Sequence, residues 1–455
     1  MLVQQDRPIK LSGSPITVIT HVPPAPATSV ALTSTATVTT TRAVKTTGPA
    51  VLTPPAGSIT VHFKRGAYRR VWINVYRADA SGRLKRAYRF SVKPTQDSAT
   101  WNGNVAGGVP APAGTYLIGI TVQDLACDPA TYPVTLRPSP GHTPDAGVTV
   151  RYLAATPPLT PTPAGSRATV EVYSPLGAYS WALRLAGKGK VLEHSQAAGS
   201  TGAGEVTLKV PLPKNNAGLY TLTLSAGQYS TAVPLVASAT GARAARGRVG
   251  QVLVVLPMLT WQGQNPVDDT GDGLPDTLTA GDPIPLERPL AMALPLSFNQ
   301  DSALLAYLNS QHYHYQLTTD IALAEGVGPS LSDSEGLALA GSETWLPSSL
   351  VSILKGFVQG GGSVLSLGTD SLTGSSVISG YPANPAASAP RRTPADLFGA
   401  KAAVAGITDA APSVTALKLG RGYVVEVGLP NFNSTLATDV DSQDLLNRIW
   451  QLLTK

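Results

Sequence analysis

The feature that most constrains this chain is a change of hydrophobic period near residue 250. Before it, apolar and polar residues alternate. SITVHF, RRVWINVYRA, KRAYRFSV and GTYLIGITVQD lie between 58 and 124; ATVEVYSP, YSWALRLAG, GEVTLKVPLP and GLYTLTLSAGQYSTAVPLVAS lie between 168 and 238. Period two sends alternate side chains to opposite faces of a strand, so both stretches predict antiparallel sheets. After it, QVLVVLP at 251–257 is continuously apolar, which suits a central parallel strand covered on both faces.

Helical and strand patterns then alternate. DSALLAYLNSQ (301–311), LPSSLVSILKGFVQ (346–359) and DSQDLLNRIWQLLTK (441–455) read as helices, the second with Leu350, Ile353, Leu354 and Phe357 on one face. YHYQLTTD, GLALAGS, GGGSVLSLGTD and GYVVEVG read as strands between them. That alternation predicts a doubly wound α/β sheet. The expected architecture is a Thr/Pro-rich, partly stranded segment (1–55), then two antiparallel Ig-like β-sandwiches (56–146 and 147–238). A Gly/Ala/Arg linker (239–250) and the α/β domain (251–455) follow. ITVITHV at 16–22 is the best strand candidate in the first segment.

Composition narrows the function classes. Charged residues are 14% of the chain, with 44 Gly and 39 Pro, a balance that suits sandwiches joined by Pro-rich loops on an exported surface. The net charge is +6 and the densest basic stretch is KRGAYRR at 64–70; a solvated strand edge is expected there, with no nucleic-acid partner. Cys127 is the single cysteine, so no internal disulfide or Cys-based metal cluster can form, and a small buried hydrophobe is expected. No apolar run reaches the ~20 residues of a membrane helix, and no secretory signal is visible at the N-terminus. Secretion or cell-surface display is therefore expected from composition and domain type.

Two resemblances sharpen the reading. WNGNVAGGVPAPAGTYLIGITVQD at 101–124 resembles the closing hairpin of the Ig-like domain of flagellar hook-capping proteins, within residues 56–127. There Trp101 caps the core, Asn102 and Gly103 turn the chain, and Tyr116 opens the last strand. In the second sandwich, LKVPLPKNNAGLYTLTLS at 208–225 has the shape of an Ig-like E–F turn with its tyrosine at Tyr220. From 251 onward, LTWQGQNP (259–266), IPLERPLA (284–291), YQLTTDIAL (315–323) and the stretch 337–372 resemble the C-terminal domain of the N,N-dimethylformamidase large subunit. That domain is a relative of the class I glutamine-amidotransferase fold. The resemblance implies a pocket after the third strand, at Gly341-Ser342-Glu343-Thr344-Trp345, with Glu343 at the family's iron-ligand position. The family's His before that Glu is absent, and Gln264 stands where it has a Tyr. One carboxylate does not make the three convergent donors a trivalent iron needs, so iron is not expected.

The residues leave these candidates. Glu343 and Ser342 are the possible catalytic groups; Ser342 lacks a Gly-x-Ser-x-Gly context. Trp261, Gln262, Asn265, Glu343 and Trp345 are the candidate binding residues, because ligands gather at the carboxyl ends of strands in open α/β sheets. His312 and His314, at period two, share one face of a strand and are candidates to reach that edge. VDDTGDGLPDTL at 267–278 is similar to extracellular calcium loops, with Asp268, Thr270, Asp272 and Asp276 at the ligand positions, so calcium is the possible cofactor. The favoured function is a non-catalytic exported protein in which sandwich spacers carry a degenerate amidotransferase-like module that binds a protein or glycan partner. The alternative is a hydrolase acting on an amide or glycan through Glu343. Edge strands also allow self-assembly by strand addition.

Overall fold

A computed structural model describes residues 32–35, 50–52, 58–62, 68–79, 83–127, 129–131, 147–199, 205–214, 216–239, 251–269, 275–291, 293–378, 383–385, 402–403 and 413–454. The strand expected at 16–22 and most of the linker lie outside them. Two compact units emerge, one built from strands between 32 and 150 and the other from 151 onward.

The first unit carries a sheet of six strands and one of three. Tyr68–Ala78 is the centre of the larger sheet, antiparallel to both Leu84–Val92 and Gly114–Asp124. Ile59, Ile73, Val75, Trp101 and Tyr116 are buried between strands. The Trp101 and Tyr116 rings lie 5.4 Å apart. Trp101 Nε1 donates to the Asn104 carbonyl at 2.7 Å and the Tyr116 hydroxyl to the Pro112 carbonyl at 2.6 Å. Each aromatic thus buries its ring while its polar end is satisfied locally. Gly147–Val150 pairs with Gly114–Asp124, so this unit runs to 150. Cys127 departs from expectation: it is exposed, with Arg69 donating to its Sγ at 2.7 Å. It sits one turn beyond the strand end, where the chain has left the core.

In the second unit, a three-stranded and a five-stranded sheet form the second sandwich. Tyr220 repeats the device of Tyr116, donating to the Asn216 carbonyl at 2.7 Å. The α/β part follows. The strands of its main sheet are β1 (Val252–Leu256), β2 (Tyr315–Thr319), β3 (Gly336–Leu339), β4 (Ser363–Leu367), β5 (Ala402–Ala403), β6 (Val414–Leu419) and β7 (Gly422–Val427), and Trp345–Pro347, Gly374–Ile378 and Ala383–Pro385 form a separate small sheet. The main-sheet strands lie in the order β2-β1-β3-β4-β7-β6-β5, the first five parallel and the last two antiparallel. The helices are α1 (Met258–Gly263), α2 (Phe298–Ser310), α3 (Asp320–Ala324), α4 (Ser348–Gly360), α5 (Phe432–Thr435) and α6 (Val440–Leu453).

Continuous apolarity in β1 has its reason in two separate cores. Val252, Val254 and Leu256 pack with Leu304 and Leu308 of α2 and Leu446 and Ile449 of α6. Leu253 and Val255 pack with Leu323 of α3 and Leu350, Leu354 and Val358 of α4. The sheet is therefore covered on both faces. The buried stripe of α4 runs Leu350, Leu354, Val358, and Ile353 is on the exposed side. The strand β6, absent from the expected strands, lies between β7 and β5 and is antiparallel to both, with Val414 and Ala416 buried. Leu159, Ala186, Leu219 and Val236 of the second sandwich join the α2–α6 core, and Thr319 Oγ1 donates to the Leu159 carbonyl at 2.8 Å. Second sandwich and α/β part thus share one hydrophobic interior. Among the described residues no helix is long and apolar enough to cross a membrane.

Candidate functional site: buried acids beneath a polar cleft

The chain enters the sheet at β1, turns one way to β2, then crosses back to β3 on the other side. Connections diverge at that point, and a crevice opens at the carboxyl ends of the strands. A cleft of about 380 Å³ lies there, walled by the segments that leave β1, β3, β4 and β7. Its polar lining is mostly amides and hydroxyls, among them Gln264, Ser342, Thr344, Thr369, Asn431 and Asn433, with the exposed carboxylate of Asp370 beside them.

Three carboxyl groups lie under the floor. Asp320, the first residue of α3, accepts the Leu259 N–H on both oxygens (3.2 and 3.0 Å) and the Ile321 N–H at 2.8 Å, so it ties α1 to α3. Asp301, in the first turn of α2, accepts from Ser297 Oγ at 3.0 Å, and Ser297 Oγ accepts from Trp261 Nε1 at 2.9 Å. Glu343 leaves the turn after β3, with its N–H on Ser371 Oγ at 3.1 Å and its carbonyl accepting the Leu372 N–H at 2.7 Å. All three are 0% exposed. Ser342 and Thr344 face the cleft, and Glu343 between them turns inward.

Neither Glu343 oxygen receives an N–H or O–H donor, and one oxygen of Asp301 is also without one. The partner in hydrogen-bond reach of Glu343 is the Asp320 carboxyl. Two carboxylates bond only when one holds a proton. Burial pushes Glu343 well above the usual carboxylic range, and the charges of Asp320 and Asp301 push it further. One proton shared by the Glu343–Asp320 pair satisfies that contact. Burial raises Asp301 and Asp320 to about 7 each, outweighing the donors that reach them. Glycine is required where the floor meets Asp301: a Cβ on Gly341 would lie 1.9 Å from Asp301 Oδ1. Gly368, at φ +103°, likewise leaves room for Ser342.

Of the candidate binding residues, Glu343 lies beneath the cleft and the other four are structural in position. Gln262 and Asn265 form a latch: Asn265 Nδ2 donates to Gln262 Oε1 (3.2 Å) and the Pro289 carbonyl (2.8 Å), and Gln262 Nε2 to the Arg288 carbonyl (3.2 Å). Trp261 and Asn265 border a separate hollow of about 30 Å³. Trp345 packs its ring on Gly374, where a Cβ would come within 2.6 Å. Gln264 is the member of that motif that reaches the cleft, donating to Thr344 Oγ1 at 3.4 Å. The expectation that His312 and His314 approach this edge fails. Both precede β2, whose first residue pairs with Val252, so they sit at the amino ends of the strands. Asp301 and Asp320 were not among the expected site residues; each lies in the first turn of a helix, where an acidic side chain is common.

The acidic loop after α1 is organised by a guanidinium. Arg288, 2% exposed, donates to the Asp269 carboxylate and to the carbonyls of Asp276 (3.0 Å), Gln262 (2.6 Å) and Asn265 (2.9 Å). Asp276 Oδ2 accepts the Asp269 N–H at 2.6 Å. Burial works against both charges, raising Asp269 and lowering Arg288. Of the calcium candidates, Asp276 gives its backbone carbonyl to Arg288 and one carboxylate oxygen to the Asp269 N–H. Thr270 and Asp272 lie outside the described residues, and no three His, Cys, Asp or Glu side chains among those described converge as metal ligands.

No protein-family model matches the chain, and no curated protein matches it in sequence. Among solved structures, it is similar to a biofilm associated protein BSP domain at 12% identity and TM-score 0.16. That match covers 41% of this chain and 28% of the other. It is similar to titin Ig tandem domains at 15% identity and TM-score 0.15, covering 42% of this chain and 91% of that one. It is also similar to Escherichia coli alpha-2-macroglobulin activated by porcine elastase, at 12% identity and TM-score 0.22, covering 46% and 22%. At such scores the functional reading comes from the cleft itself.

Proposed function

We propose that the α/β part is an amidotransferase-like binding module without catalysis, and that its cleft takes a hydroxyl-rich ligand, a glycan, outside the cell. The two sandwiches serve as spacers that present it. The observation that carries the reading is a wall rich in hydroxyls and amides, with Asp370 the acid among its described residues, set over three further acids withdrawn beneath it. Hydroxyl and amide side chains each offer donors and acceptors, which suits a ligand covered in hydroxyls. Glu343, the residue a hydrolase would use, is 0% exposed, and a general acid or base must come within hydrogen-bond reach of its substrate.

The hydrolase alternative has one observation in its favour. Glu343 sharing a proton with Asp320, beside a third acid, resembles the way environment divides acid and base roles between carboxyls. Titration of the full chain with a panel of neutral and charged oligosaccharides, followed by calorimetry and product analysis, separates the readings. Binding without turnover is expected. Turnover that disappears in Glu343→Gln while binding persists makes the protein a hydrolase, and no binding across the panel removes the glycan reading.

A further inference from the structure

Two buried acceptors flank the same short stretch of the cleft floor. Asn433 lines the cleft, is 5% exposed, and its Nδ2 donates to the Ala340 carbonyl at 2.7 Å. That bond fixes the amide orientation, because a carbonyl accepts only from the nitrogen end. Its Oδ1 is left without a donor. The next residue, Gly341, lines the cleft without a side chain, and behind it Asp301 Oδ1 stands 1.9 Å from the place a Cβ would take and has no donor either. Among the described residues no Lys or Arg lines the cleft, whereas the acid Asp370 does. The missing partner is thus a donor, and beside buried acids a positively charged donor is favoured. The described acids do not converge as metal ligands, whereas an ammonium carries three donors on one small group.

We infer that the glycan taken by this cleft carries a protonated primary amine, as an amino sugar does, with Asn433 Oδ1 accepting from it and Asp301 as the counter-charge under Gly341. This rests on the glycan reading above and narrows it. Neutral sugars satisfy Asn433 but leave the acid without a cation, so the amine sets the preference.

Calorimetry on the full chain near neutral pH, with a glucosamine tetramer and its fully N-acetylated counterpart, tests the inference. Acetylation removes the charge and keeps the ring hydroxyls. The free amine form is expected to bind about tenfold more tightly, the scale of one charge-assisted contact. Asp301→Asn should bring the two affinities together, and Asn433→Leu should weaken both. Equal affinity, or tighter binding of the acetylated form, overturns the amine inference and leaves the glycan reading standing; binding of neither removes both. The comparison of the two ligands on the unaltered chain decides the matter even if a variant fails to fold.

Discussion

Two buried charged clusters lie within the α/β part, and they are solved in opposite ways. Around Arg288, the carboxylate of Asp269 and three backbone carbonyls converge on one guanidinium. Under the cleft, Asp301, Asp320 and Glu343 share one region with no cation, and three of their oxygens have no donor. A buried charge is tolerated when it is paired and hydrogen-bonded; without a partner, an acid stays neutral by keeping its proton. The first cluster accordingly holds a loop in place. In the second, burial raises all three acids, and none of the described residues brings a cation to offset it.

The largest expected effect breaks the satisfied cluster. Arg288→Met strips the cation from Asp269 and from three carbonyls, and removing one partner of a buried pair costs ~3–5 kcal/mol. Chemical denaturation of the second unit in the intact chain should register that loss. An unchanged midpoint would mean the latch contributes little.

Next comes the acid cluster's glycine. Gly341→Ala drives a methyl onto Asp301 Oδ1, an overpacking expected to cost about 1–3 kcal/mol. It should also reduce ligand binding in the cleft, and a variant as stable as the parent would place Asp301 elsewhere.

The third prediction concerns pH. Asp301 and Asp320 have an ordinary value of 3.8 and are raised to about 7 in the fold; Glu343 is raised too. The folded state therefore binds more protons than the unfolded chain between about 4 and 7. The cluster's contribution is complete below the unfolded value and is lost as pH rises through about 7. Denaturation midpoints measured from pH 5 to pH 8 should fall, and Glu343→Gln should flatten the slope by supplying a neutral donor that needs no proton. A slope that persists in Glu343→Gln would assign it to other groups.

Smallest of all, Ser342→Ala removes a hydroxyl from the cleft wall. Stability should stay within error, while affinity for the bound glycan drops by about 0.5–1.5 kcal/mol, the net worth of one hydrogen bond. Isothermal titration reads the affinity, and a denaturation midpoint reads the stability.

Much of the scaffold could be read without coordinates. Alternation in RRVWINVYRA and GTYLIGITVQD marked paired strands of one sheet, and the pattern at Tyr220 marked a second tyrosine tied to its own upstream backbone. The site was legible by halves. That Glu343 and Ser342 follow the strand Gly336–Leu339 was readable because a strand–turn–helix succession is local. Trp261, Gln262 and Asn265 were expected to bind ligand and instead brace the chain, since a polar side chain looks the same in sequence whether it meets solvent or a neighbouring carbonyl.

What the sequence determined by itself is periodicity: which residues face a core, where strands yield to helices, and where the loops at the sheet's carboxyl edge must fall. Periodicity reports burial one residue at a time. Partnership is a different quantity. That Asp301 and Asp320 meet Glu343, that Arg288 fills the acidic loop, and that the second sandwich shares an interior with α2 and α6 were decided only when parallel strands brought distant segments to one edge. The physical reason is that desolvation and charge pairing depend on distances across the fold, and no local pattern encodes them.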